Sequence, residues 1–166
     1  MMRDAYLSAM ARAANSVTVV TTDGPAGRAG VTVSAMCSVS LDGPAPSLLV
    51  CIHEASPARR AIAANGVFCA NLLAEDQSHI SDCFAGRTKA EGVQKFGCAT
   101  WTEGVNSVPV LKGALASFAC RVAHHHAVNS HHIFIGYVDR VESAETGRPL
   151  VYHDRKYGRP AELTAP

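Results

Sequence analysis

Apolar and polar positions repeat along most of this chain with the two-residue period of strands. Val17 to Thr22 is β-branched throughout and reads as a strand. From Val31 to Leu41 every second residue is apolar (Val31, Val33, Ala35, Cys37, Val39, Leu41), which predicts one strand across residues 30–42. Ser47 to Ile52 is a nearly all-apolar strand, and Val67 to Leu73 is another. Ala114 to Val122 and Ile133 to Val141 pattern as an antiparallel pair, followed by a short strand from Leu150 to His153. Helical spacing is confined to three places. Tyr6, Leu7, Met10, Ala13 and Ala14 predict a helix over the first fifteen residues. Ser56-Pro57 starts a second helix, with Ser as cap and Pro at the first position, and Asn65-Gly66 stops it. Gln77 to Phe84 forms a third, ended by Gly86; residues 87–108 read as an irregular, mobile loop.

Six or seven strands, few helices and turn clusters at 23–27 and 42–46 favour a mainly β fold, a closed or partly closed antiparallel barrel. Strictly alternating βα units are missing, which argues against a doubly wound parallel sheet, and with no G-x-G-x-x-G after a strand any bound nucleotide is held without a Rossmann fingerprint. The whole chain, 1–166, reads as one domain with its core over about 14–155 and a leading helix over 3–15.

The stretch GVTVSAMCSVSLD poses a chemical question. The positions between its apolar residues are Thr32, Ser34, Met36, Ser38 and Ser40, where a wet strand face ordinarily carries long charged side chains. Short hydroxyls let a flat object approach the main chain and bond to its amides and carbonyls. The polar pyrimidine edge of an isoalloxazine suits such a face; an overlying sheet bonded to the same hydroxyls is the plainer alternative. The Ser56-Pro57 helix start, with Arg59 and Arg60 in its first turn, adds unpaired amides and positive charge, a seat for phosphate. A ring platform followed by a phosphate seat is the layout of a flavin nucleotide.

Composition narrows the picture. The chain is 48% hydrophobic and 17% charged, which suggests apolar surface hidden between copies. A net charge of +1 favours neither nucleic acid nor an anionic membrane. There is no apolar run long enough to span a bilayer and no signal-peptide pattern, so the expected location is the cytoplasm. The six cysteines have no C-x-x-C spacing and read as reduced small hydrophobes. His124-His125-His126 invites a metal reading, but neighbours on a strand point to opposite faces, so a surface hairpin is expected and no metal. Trp101 and the tyrosines read as core or interface, with Tyr152 and Tyr157 as exceptions near a cofactor.

Taken in order, GVTVSAMCSVS, PSLLVCIHEAS, VFCANLLAEDQSHISDCFAG, VPVLKGALASFAC and HHIFIGYV resemble the motifs of the short-chain flavin reductase family, the reductase components of two-component flavin monooxygenases, over about Ala14 to Tyr152. The 4-hydroxyphenylacetate 3-monooxygenase reductase component is the nearest type. Two departures stand out: Asn129-Ser130 replaces the Gly-Asp often found before the histidine, and Lys95-Phe96 replaces an Arg-Phe pair. The resemblance implies a homodimeric, FMN-binding split β-barrel of Greek-key type that binds FMN or FAD and oxidises NADH or NADPH. It would hand reduced flavin by diffusion to a partner monooxygenase. It places the isoalloxazine on Thr32, Val33, Ser34, Ala35, Ser38, Val39, Ser40 and Cys51, and the phosphates on Ser56 and Arg59. Asn71 would support the ring or ribityl chain, and Phe84, Ala85, Gly86 and Lys89, with Tyr152, would close over the nucleotide. His131, followed by a second histidine, would sit by the nicotinamide as the catalytic residue. The chemistry is then hydride transfer to flavin, which needs positioning rather than a base or nucleophile. Other readings are a reductase of a corrinoid, iron or quinone, a flavin-storing protein, and an enzyme like pyridoxamine-phosphate oxidase.

Overall fold

The computed structural model describes residues 1–163. In chain order it contains α1 (Met2–Ala11), β1 (Asn15–Ser16), β2 (Thr18–Thr22), β3 (Ala29–Val33), β4 (Met36–Ser40), β5 (Ser47–His53), α2 (Pro57–Asn65), β6 (Val67–Leu72), α3 (Ser78–Phe84), β7 (Trp101–Glu103), β8 (Pro109–Leu111), β9 (Ala116–Val128), β10 (His131–Ser143), β11 (Val151–His153) and β12 (Lys156–Gly158). The main sheet has seven antiparallel strands in the order β3-β2-β6-β9-β10-β5-β4. A small sheet, β1-β11-β12, and a pair, β7-β8, flank it.

Closure follows from chain length. β3 and β4 lie at opposite edges of the sheet, yet only Ser34 and Ala35 separate them. Six strand spacings laid flat measure about 29 Å, whereas the step from Val33 to Met36 reaches at most about 11 Å. The sheet must therefore curl until its edges meet at residues 34–35. No ladder joins β3 to β4, so the barrel stays split along that seam. The mainly β, antiparallel split barrel expected from the sequence is the fold observed.

The seam also revises the sequence pattern. The single strand expected over 30–42 is two strands, and the inward-facing phase changes between them. Val31 and Val33 pack on the core before the seam, whereas Met36 does so after it. Ala35, Cys37 and Val39, apolar and formally in phase, are exposed. The alternation persists in the sequence while the backbone turns it inside out.

The barrel is filled from within by Val20, Val50, Ile52, Phe68 and Phe134, and α2 plugs one end through Ala58 and Ile62. A second core lies on the outside of β2, where α3 and the following segment bury Val17, Val19, Leu73, Phe84, Phe96 and Leu150. With a core on each side, every residue of β2 is buried, which accounts for its unbroken β-branched run.

Several boundaries differ from the expectation. α1 stops at Ala11 rather than near Asn15. Residues 87–108 are not a structureless loop: they contain a 3₁₀ helix, Gly92–Cys98, and strand β7. Phe84, Phe96 and Trp101 meet edge to face with ring centroids 5.1, 5.5 and 5.1 Å apart. The Trp101 indole N–H also donates to the Phe96 carbonyl at 2.9 Å. At about 0.5–1.5 kcal/mol for each aromatic pair, that contact set helps to hold the segment on the barrel. β9 and β10 are each 13 residues long, well beyond the expected spans.

All six cysteines are free. Burial pushes the Cys69 thiol up to about 12, and Cys120 moves in the same direction, as befits side chains used as hydrophobes. Among the described residues no helix is long and apolar enough to cross a membrane.

Candidate functional site

Everything distinctive about the site starts at the seam. Ser34 and Ala35 are exposed, and so are Ser38 and Val39 on β4. An edge strand whose backbone groups are unpaired offers donors and acceptors to an incoming flat ring. Behind Ser34 lies a cleft of about 150 Å³ lined by Val17, Thr32, Val33, Ser34, Ser81, Ala85, Arg87, Tyr152 and Tyr157. The Thr32 hydroxyl donates to the Ser81 carbonyl at 2.8 Å, tying β3 to α3. That hydroxyl is therefore engaged with protein, as the plainer reading allowed, while Ser34 remains open.

Arg87 is the side chain on which this cleft turns. Its guanidinium lies 5.9 Å from the ring centroid of Tyr152 and 5.7 Å from that of Tyr157. It donates to Asp82 at 2.9 Å and to the two phenol oxygens at 3.3 and 3.5 Å. The hydrogen bonds to Tyr152 and Asp82 hold the guanidinium's pKa above its ordinary value. Burial raises the Tyr157 phenol, so it stays protonated and can donate to Asp82 at 2.7 Å. Three aromatic and acidic neighbours thus fix one cation at the mouth of the cleft.

Phe84, expected to close over the nucleotide, is buried in the second core and does not reach the cleft. It supports α3 from beneath, and Ala85, Gly86 and Lys89 continue past it as exposed residues. Gly86 has φ +75°, the left-handed backbone that ends the helix.

On the other side of the seam the Cys51 amide donates to the Ala35 carbonyl at 3.1 Å, so β5 continues the same surface. Two residues on, the His53 ring meets His131 edge to face at 4.9 Å, the two standing opposite each other in the β5–β10 register. The pleat separates the paired histidines of β10: His131 faces outward with Cys51, whereas His132 lies on the opposite face, 2.6 Å from His125. His125 in turn stacks on Phe134 at 4.3 Å. Ser56 then caps α2 by position without a side-chain bond, leaving its hydroxyl free. Arg59 Nε is shielded from solvent and has no hydrogen-bond partner among the described residues. An unsatisfied buried donor beside a helix start suits an anion.

Sequence-expected residues therefore divide. Thr32, Val33, Ser34, Ala85 and Tyr152 line one cleft; Ala35 and Cys51 bond to each other beside the seam; His131 stands on the outer face of β10, and Ser56 and Arg59 stand at the start of α2. Ser38 and Val39 lie along β4, and the Ser40 hydroxyl turns to accept the Asp42 amide at 3.0 Å. Asn71 is not brought there. It is fully buried, giving its amide hydrogens to the Val19 carbonyl and the Thr21 hydroxyl while its oxygen accepts from Leu111 and Ser117. Arg87, Ser81 and His53 escaped the sequence reading. Arg87 directly follows Phe84-Ala85-Gly86 and was findable from that position; His53 needed the β5–β10 register.

The arrangement fits a flavin: an exposed strand edge for the ring's polar side, and the unpaired Arg59 Nε at a helix start for a phosphate. Comparison with known proteins points the same way. The family model described as "Flavin reductase like domain" matches residues 10–161. An FMN reductase (NADH) RutF from Methylorubrum extorquens is 44% identical over 153 residues, covering 92% of this chain and 73% of the relative. One from Stutzerimonas stutzeri is 42% identical over 156 residues, covering 94% and 87%. Among solved structures, the flavin reductase PheA2 superimposes with a TM-score of 0.86 at 31% identity, covering 98% of this chain and all of that one (100%). BorF, the flavin reductase component of a bacterial two-component tryptophan halogenase, gives 0.86 at 28% identity, covering 97% and 99%.

Proposed function

The chain belongs to the flavin reductase-like domain family, and from that premise we propose that it is an NADH-dependent FMN reductase that releases reduced flavin to an oxygenase component. The observation that carries this reading is the open seam, where the exposed residues Ser34 and Ala35 sit at an edge with no β3–β4 ladder, beside a cleft lined by hydroxyls and a fixed arginine.

FMN, when bound, supplies the ring that accepts the hydride. The protein's share is to bind, orient and exclude water. Backbone groups of Ser34, Ala35, Ser38 and Val39 hold the polar edge of the ring. Arg59, with the Ser56 hydroxyl and the amides that begin α2, holds the phosphate. Arg87, immobilised between Tyr152 and Tyr157, keeps the wall of the cleft in place and presents a positive charge to it. His131 and its neighbour His53 flank the approach of the nicotinamide from the outer face. No proton need be taken from carbon and no acyl group is transferred, so neither general base nor nucleophile is required.

The working unit in this reading is a homodimer. Cys51 pairs with Ile133 and Leu49 with Ile135 in the β5–β10 register. Their chain neighbours Val50, Ile52 and Phe134 fill the barrel, so these four point outward, yet all are half-buried. An apolar row next to the seam suits a second copy. The reduced thiols suit the cytoplasm.

Consumption of NADH measured with and without added FMN, FAD or riboflavin tests the function. Turnover dependent on added FMN is expected. Flavin binding without any NADH oxidation would identify a storage protein instead, and oxidation that needs an iron, corrinoid or quinone acceptor would reassign the reaction.

A further inference from the structure

Two clefts meet at Ser34 and Tyr152. The one behind the seam holds about 150 Å³, whereas pockets for organic ligands of this size run upward from about 300 Å³. The other, of about 430 Å³, opens on the far side of the same two residues, and α1 forms its wall through Leu7, Met10 and Ala11. α1 is unusual in burying none of its ten residues. Leu7 and Met10, three apart and so on one face, are 45% and 48% exposed. A helix this short is marginal alone in water, and an apolar row facing an open cleft gains nothing unless something apolar enters.

Resting on the flavin reading above, we propose that Leu7 and Met10 form the apolar wall for the dimethylbenzene edge of the isoalloxazine. The ring has two unlike ends. Its pyrimidine edge needs donors and acceptors, which the seam supplies. Its opposite edge carries methyl groups and no hydrogen-bonding atom, and it is stabilised only by apolar cover. The α1 cleft is an apolar surface that shares Ser34 with the seam and Tyr152 with the smaller cleft, and a thioether makes favourable contact with an aromatic edge. α1 is then a determinant of ring affinity, indifferent to what hangs from the ribityl chain.

The test uses the full chain and titrates FMN and riboflavin separately, following the quenching of flavin fluorescence. Two double variants, Leu7→Ala/Met10→Ala and Leu7→Asp/Met10→Asp, guard against an effect of introduced charge. Because neither residue is buried, thermal unfolding of both should match the parent. The expected result is that both ligands weaken alike, by about tenfold for the alanine pair and more for the aspartate pair. Tyr6→Ser, exposed and outside the cleft, should bind as the parent does. Unchanged affinities overturn the proposal. So does a loss confined to FMN, which would assign the cleft to the phosphate, and so does a loss accompanied by a change in sedimentation, which would assign α1 to a second copy. A parent protein that quenches neither flavin sinks the functional reading itself, a result distinct from all of these.

Discussion

Asn71 shows how a single residue can carry the right chemistry in a different place from the one its motif suggests. It is 0% exposed, and each of its polar atoms is paired within the sheet. Its oxygen is the acceptor for the Leu111 amide at 2.9 Å and the Ser117 hydroxyl at 3.0 Å, so it pins β8 and β9 to β6. Asn71→Leu would leave both donors buried without partners, at about 1–3 kcal/mol each. The urea midpoint should fall by the equivalent of about 3 kcal/mol with the slope unchanged. FMN affinity measured below the transition should stay near that of the parent. An affinity loss without a stability loss would return Asn71 to the ligand. His131 and His132, adjacent on β10, face opposite sides of the barrel wall and so meet different surroundings.

At the scale of elements, the decisive contact is that between α3 and β3. Gly30 lies under Phe84 so closely that a Cβ there would stand 2.6 Å from the ring's Cε1. Phe84 is itself locked against Phe96 and Trp101, so the ring cannot swing away. Gly30→Ala should therefore lift α3 from β3, at about 1–3 kcal/mol. Because α3 brings Ser81, Asp82 and Ala85 to the cleft and anchors Arg87 through Asp82, weaker FMN binding should accompany the drop in thermal midpoint. A variant that loses stability but binds FMN as before would show that the cleft does not depend on this packing. The glycine here serves close approach; its own backbone is ordinary.

For the whole molecule, the outward row of Leu49, Cys51, Ile133 and Ile135 crosses β5 and β10 and reaches the seam where the Cys51 amide meets the Ala35 carbonyl. Should a second copy cover it, Ile135→Asp places a carboxylate in an apolar interface, where a charge without a partner is costly. Sedimentation velocity should then show a monomer where the parent is a dimer, and FMN binding should weaken with it if the ring is held at the seam beside the same face. An unchanged sedimentation coefficient would remove this row from any interface. β10 is long enough to pair with β5 along the whole of that row, which is why one substitution in its middle is the sharpest probe.

Much of this protein was written in local pattern. The β-branched run of β2, the Ser56-Pro57 start and Gly66 stop of α2, and the short hydroxyls around Ser34 depend on neighbours within a few residues, and periodicity reports such neighbours directly. The fold class and the two ends of the candidate site followed from them. What depended on contacts distant in the chain was decided only by the tertiary structure. The alternation from Val31 to Leu41 is blind to the seam, because a two-residue link that joins opposite sheet edges exists only once seven strands have curled. Segment 87–108 looks polar and irregular until Phe96 and Trp101 find Phe84. Arg87 becomes a fixed cation only when β11 and β12 bring Tyr152 and Tyr157 from some seventy residues away. Sequence pattern records which faces are apolar; closure of the barrel decides which of those faces meet.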